Sequence, residues 1–337
     1  MTEPTQGTES RARVNVKDLQ APVLPDLARV QEELGRFFVS DVSLINEISR
    51  HMLRANGKRF RPTLLLLCQR LKGPSTQEAI VSATIVELVH TATLIHDDSI
   101  DRSFLRRGIP TVNSLWNDQT SVIMGDYLYS KAFFLLVEYG LFEVMKILAR
   151  TTHRMSLGEM LELEHKQNFD LDEDTYNRLI LDKTAVLLSA ACEIGGYLAW
   201  GDGRERRLLA EFGTDLGMAF QITDDILDIE GDAEMMGKST GSDIRDGKVT
   251  LPLIHVLRTG SPRVVKQIQD RMRVEPIEAG AAREVATLVA EHGGLDFARQ
   301  RARGYADRAL EFLDAFPDGV SRRTLRASVE YVLGRRE

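Results

Sequence analysis

From about Asp26 to its C-terminus this chain carries apolar residues mostly three and four positions apart. That period lines one face of a helix, whereas a half-buried strand needs strict alternation. Alternating β-branched runs bounded by turn signals are scarce, so an all-α fold is expected. The spacing predicts helices over about residues 26–54, 60–72, 76–102, 111–118, 120–140, 141–166, 174–200, 204–230, 249–259, 262–272, 279–293, 296–315 and 321–335. Gly57, Gly73-Pro74, Gly201 to Gly203 and Pro317 to Gly319 punctuate them. No repeat of fixed period and no Pro/Ser/Gly-rich linker divides the helical region, which predicts one all-helical domain over residues 21–337. The polar start, MTEPTQGTESRARV, predicts a disordered tail over residues 1–20.

Charge and cysteine usage narrow the partners. Lysine and arginine number 43 against 50 aspartates and glutamates, a formal net charge of -7, so no global signal points to nucleic acid or an anionic membrane. Cys68 and Cys192 lie far apart in apolar segments, without the CxxC spacing or histidine pattern of a structural zinc site. A reducing, cytoplasmic setting is expected. Glu3 and Glu9 in a polar N-terminus fit neither a signal peptide nor an acid-poor transit peptide. The apolar runs 63–68 and 132–137 fall short of the roughly 18 to 20 residues of a bilayer span, and Glu193 with Gly195-Gly196 interrupts the longer stretch 185–200. No transmembrane segment is expected.

One pattern occurs twice, an apolar stretch that ends in aspartates. Asp97, Asp98 and Asp101 close the first, and Asp224, Asp225 and Asp228 close the second. Carboxylates at i and i+4 project from one helix face about 6 Å apart along the axis, and like charges at that spacing destabilise a bare helix. The pattern makes sense when cations sit between the aspartates and an anionic ligand. Oxygen-only ligands suit a hard ion such as Mg²⁺, shared between carboxylates and phosphates. A lone cluster reads equally as an acidic helix end in solvent; two of them point to a polyphosphate held between. Lys58, Arg59 and Arg61 before an apolar helix, and Arg102, Arg106 and Arg107 after the first cluster, add the cations of an anion site.

Taken in order, these residues resemble the trans-isoprenyl diphosphate synthases, the head-to-tail prenyltransferases. The motifs are GKRFRP at 57–62, LIHDDSID at 94–101 with Leu105 to Gly108, GDYLYSKAF at 125–133, Lys183-Thr184, FQITDDILD at 220–228 and GKSTGSDIRDGKVTLP at 237–252. The resemblance covers residues 30–337. It implies a large helical bundle of the isoprenoid synthase type with a central cavity, a homodimer, and three Mg²⁺ ions per site. By similarity Asp97, Asp98, Asp101, Asp224, Asp225 and Asp228 hold those ions. Arg106, Lys183, Gln221 and Lys238, with Thr184 and Lys248 beside them, bind the allylic diphosphate, and Lys58, Arg61, His90 and Arg107 bind isopentenyl diphosphate.

The implied chemistry is ionisation of an allylic diphosphate, alkylation of isopentenyl diphosphate and loss of a proton. Fixed cations supply the electrostatic stabilisation, and released pyrophosphate is the base, so no protein base is assigned. Ala92 and Thr93, where short-chain members often carry an aromatic residue, imply an open tunnel and a hexaprenyl to decaprenyl product suited to quinone side chains. Farnesyl or geranylgeranyl diphosphate is the alternative. A terpene cyclase is disfavoured by the all-aspartate second motif and by GKRFRP. A metal phosphohydrolase built on His96-Asp97 is the second rival, and a non-catalytic subunit is disfavoured because both aspartate clusters are complete.

Overall fold

The computed structural model describes residues 14–54, 57–106, 108–231 and 241–335. Helices α1 (Val16–Gln20), α2 (Leu24–Phe37), α3 (Ser43–Arg54), α4 (Phe60–Gln69) and α5 (Gln77–Ile100) precede a hairpin of two-residue strands, β1 (Leu105–Arg106) and β2 (Ile109–Pro110). Next come α6 (Val112–Leu115), α7 (Asp118–Glu138), α8 (Phe142–Glu164) and α9 (Glu173–Ile180), which passes through a π-helical turn, Leu181–Ala185, into α10 (Val186–Trp200). Then follow α11 (Arg204–Glu230), α12 (Ser242–Arg245), α13 (Leu251–Thr259), α14 (Pro262–Met272), α15 (Ala279–Glu291), α16 (Gly294–Phe312) and α17 (Val320–Leu333). The expected all-α architecture is therefore observed. The hairpin pairs Leu105 with Pro110 and Arg106 with Ile109.

Two apolar clusters make the core. One gathers α4, α5, α7 and α10, with Leu64 to Leu67, Ile85, Leu88 and Leu188 fully buried; the other gathers α9 and α13 to α16. Helix α11 joins them, because Leu216 and Ala219 face the first cluster while Met218, Ile222 and Ile226 face the second. A helix that packs on both sides has its remaining direction left for a functional face. Helix α5 is apolar almost all round. By length and hydropathy it could cross a membrane, against the expectation that no segment would, yet 72% of its apolar window is buried inside the protein. Its composition is that of a central core helix.

Other departures have local causes. Residues 14–20 are not part of a disordered tail: Asn15 caps α1 in a capping box, Leu19 is buried, and Gln20 Nε2 donates to the Lys58 carbonyl at 2.8 Å. The helix expected over 26–54 breaks near Ser40, where the Asn46 side chain accepts from the Ser40 amide at 3.0 Å and donates to its carbonyl at 2.7 Å. An amide side chain thus satisfies backbone groups that a continuous helix would have paired. The helix expected over 174–200 contains the π turn, which carries Lys183.

Candidate active site

Both aspartate clusters lie in the last turns of long helices. Asp97, Asp98 and the C-cap Asp101 close α5, and Asp224, Asp225 and Asp228 lie near the end of α11. The C-terminal end of a helix is its negative pole, so carboxylates there are disfavoured unless positive charge is supplied. Asp97 shows the effect: burial pushes its carboxyl up to about 7, Glu159 and Asp101 add to the rise, and Lys183 and Arg106 oppose it. Asp98 is buried and takes both oxygens to Arg106 Nε, at 2.8 and 3.0 Å. Asp101 lies within electrostatic reach of Asp246 and Lys248, which brings the end of α5 towards the α12 segment.

In the second cluster Asp224 accepts from Arg335 at 2.5 Å, and burial raises its carboxyl although Arg335 opposes the rise. Asp225 is buried, accepts from Tyr176 Oη at 2.5 Å and from Gln221 Nε2 at 2.8 Å, and is raised well above the carboxylate range by burial and by Asp243. Asp228 accepts from the Ser242 and Asp243 amides, each at 3.1 Å, and so caps α12. Asp98, Asp225 and Asp228, all expected as metal ligands, are thus taken up by protein donors. Asp224 is paired in the same way with Arg335, and of the six it is Asp97, Asp98 and Asp225 that line the cavities described below. Among the described residues no three acidic, histidine or cysteine side chains gather closely enough to form a metal cluster.

The expected cations converge in two sets. Lys183 Nζ pairs with Glu159 at 2.9 Å and with Glu162 at 2.8 Å; Lys248 Nζ lies 3.5 Å from Glu162. Thr184 Oγ1 donates to Gln221 Oε1 at 2.8 Å, continuing the chain through Asp225 to Tyr176. In the other set, Arg61 donates to His90 Nε2 at 3.0 Å, so that nitrogen is the acceptor of the ring. Arg59 is spent on Glu87 at 2.6 Å, from a left-handed backbone with φ of 47°. Arg107 and Lys238 lie outside the described residues.

Three cavities meet here. The first, about 500 Å³, is lined by Lys58, Arg61, His90, Arg106 and Arg335. The second, about 490 Å³, shares Arg61, His90 and Leu94 with it, carries Asp97, Lys183 and Thr184, and is walled by Tyr129, Met155 and Leu163. The third, about 110 Å³, lies among Lys183, Thr184, Gln221, Asp225 and Lys248. Thr93 lines the second cavity. Ala92, expected at the tunnel floor, is fully buried and lines none of the three, because it faces the packed interior of the bundle.

His96 turns away from Asp97. Its Nε2 lies 3.2 Å from the Val122 carbonyl and 3.4 Å from Asp126, and its ring stacks on Tyr129. A phosphohydrolase pair made of His96 and Asp97 is therefore not assembled. The sequence-based expectations missed Glu159 and Glu162. Their signal was present: an i, i+3 pair of acids on an otherwise apolar helix face repeats the logic of the aspartate clusters.

Residues 42–289 match the family model described as polyprenyl synthetase. The chain is 35% identical over 316 residues to octaprenyl diphosphate synthase of Escherichia coli (strain K12), covering 93% of this chain and 96% of the other. It is 37% identical over 312 residues to all-trans-nonaprenyl-diphosphate synthase (geranyl-diphosphate specific) of Rhodobacter capsulatus, covering 92% and 94%. Its fold matches the crystal structure of polyprenyl synthase from Caulobacter crescentus CB15, complexed with calcium and isoprenyl diphosphate, with a TM-score of 0.92 and 34% identity over 97% of this chain and 100% of that one. With two clusters of aspartates, two sets of cations and a match in sequence and fold along nearly its whole length, this chain belongs to the polyprenyl synthetase family.

Proposed function

We infer that this protein, a prenyltransferase of the polyprenyl diphosphate synthase type, condenses isopentenyl diphosphate with an allylic diphosphate. The product is a linear all-trans polyprenyl diphosphate of hexaprenyl to decaprenyl length, suited to quinone side chains. The observation that carries this assignment is the pair of adjoining cavities: one is cationic, and the other has Asp97 and Lys183 beside a largely apolar wall. A diphosphate fits the charged part and a prenyl chain the apolar part.

The donor set suits a hard divalent cation, because the aspartates of both clusters offer only carboxylate oxygens, and burial raises the carboxyls of Asp97, Asp224 and Asp225, a rise that a bound cation would oppose. We assign Mg²⁺ to the two clusters, Asp97, Asp98 and Asp101 at the end of α5 and Asp224, Asp225 and Asp228 near the end of α11. When bound, the ions neutralise diphosphate oxygens and stabilise the leaving pyrophosphate. Lys183, Lys248, Thr184 and Gln221 hold the allylic diphosphate, joined by Arg106 and by Lys238. As the C–O bond breaks, its electron pair goes to the pyrophosphate, and these fixed cations stabilise the growing negative charge without reorganising. Lys58, Arg61, His90 and Arg107 orient isopentenyl diphosphate so that its double bond attacks the allylic carbon. The apolar walls exclude water, and a proton leaves to pyrophosphate.

A homodimer fits the exposed apolar side chains Ile123, Phe134, Val137 and Phe142 on α7 and α8. The second assignment, a farnesyl or geranylgeranyl product, is favoured by Tyr129, whose ring stands on the wall of the second cavity. Incubating the protein with Mg²⁺, isopentenyl diphosphate and a series of allylic primers decides between them. Linear products of thirty to fifty carbons are expected; a ceiling at fifteen or twenty carbons selects the shorter product, and cyclic hydrocarbon or free phosphate overturns both.

A further inference from the structure

Two lysines of like charge converge on one carboxylate. Glu162 Oε1 accepts from Lys183 Nζ at 2.8 Å and lies 3.5 Å from Lys248 Nζ. Lys183 comes from the π turn after α9, and Lys248 from the segment after α12. Glu159 reaches Lys183 and Asp243 reaches Lys248, whereas Glu162 touches both. Burial would lower both ammonium groups and each lysine repels the other, yet both are raised, with Glu162 the leading cause of the rise in each. Glu162 faces the π turn because Gly158, one helical turn earlier, brings α8 against the Lys183 backbone: a Cβ there would lie 2.4 Å from the Lys183 nitrogen.

We propose that Glu162 is a positioning residue that holds Lys183 and Lys248 side by side as a paired ammonium clamp for the allylic diphosphate, without itself touching substrate. The proposal rests on the function inferred above. Two ammonium groups at a set spacing offer one cation to each phosphoryl group, and a point charge on a flexible stem needs an external anchor to stay there. Glu162 lines the third cavity with both lysines and does not line the first, where Lys58, Arg61 and His90 lie, so the effect is expected on one substrate only.

The full-length protein with Mg²⁺ tests this through Glu162→Gln, which keeps the side-chain volume and an acceptor oxygen and removes the charge. The allylic kcat/KM should fall about 10- to 100-fold, the scale of one charge-assisted hydrogen bond, with the KM for isopentenyl diphosphate changed by less than about twofold. In a Lys248→Met background the same change should cost less than about threefold, because the residues act as a unit. Unchanged or raised allylic kcat/KM overturns the proposal, since a carboxylate merely repelling the diphosphate would give that result. An equal loss on both substrates with a lowered melting temperature also overturns it, as the mark of a structural role. Calorimetric titration with inorganic pyrophosphate and Mg²⁺ separates the clamp from the reaction. Weaker binding in Glu162→Gln supports the clamp even if the wild type elongates nothing, an outcome that overturns the assigned reaction alone; equal binding by both proteins overturns the clamp.

Discussion

Burial moves the titration of Asp97 into the neutral range. Its carboxyl is raised to about 7, so in the metal-free protein the folded state keeps a proton that the unfolded chain releases near the ordinary aspartate value. Between those two values the unfolded state binds fewer protons, and stability contributed through this group falls as pH rises; the loss is complete above about 7. Asp97→Asn removes the titration. In chelator, the melting temperature of the variant relative to wild type should climb from pH 4 to pH 7 and then level, while turnover with Mg²⁺ drops by orders of magnitude. A flat difference across that range, or near-normal turnover, contradicts the environment assigned to this carboxyl. The six aspartates were legible as clusters, but their protein partners were not. Arg106, Tyr176 and Ser242 claim Asp98, Asp225 and Asp228. Two of those partners lie 49 and 14 residues away, and no local spacing reports a partner brought by the fold.

At the scale of elements, helix proximity is what aims the side chains. Gly158 of α8 and Gly217 of α11 both abut the π turn; a Cβ on Gly217 would lie 2.6 Å from Ala185 Cα. These glycines let two helices approach the turn that carries Lys183 and Thr184. Gly158→Ala should therefore cost about 1–3 kcal/mol by overpacking and also lower allylic kcat/KM, because it pushes α8 from the Lys183 backbone. Gly304→Ala is the control: it sits in α16 with open space around its Cβ, and the usual helix preference for alanine predicts a gain of about 0.5–1 kcal/mol with unchanged kinetics. Urea unfolding of the two variants beside their rates checks both. Most helices were legible from periodicity. The π turn was not, because one extra residue per turn hardly disturbs an apolar pattern as dense as that of 185–200.

The whole molecule presents apolar side chains that its own core leaves uncovered. Phe134 is 58% and Val137 54% exposed on α7. Sedimentation equilibrium at micromolar concentration should give twice the chain mass. The double change Phe134→Glu, Val137→Glu should weaken that association by about a hundredfold or more with the helical circular dichroism intact, since each buried apolar side chain contributes about 1.5–3 kcal/mol. A dimer that survives the change places the contact on another face. By itself the sequence determined the helical class, the two aspartate-ended helices and the cations that flank them, because periodicity and like-charge spacing act within a few residues along the chain. Only the tertiary structure decided which carboxylates stay turned to the cavities, that Glu159 and Glu162 hold the lysines, that Ala92 faces the core while Thr93 faces the second cavity, and that Gln20 ties the first helix to Lys58. Each of those depends on which face of one helix meets which neighbour. That choice is made by the packing of residues far apart in the chain, where a period fixes the stripe but not the surface it is set against.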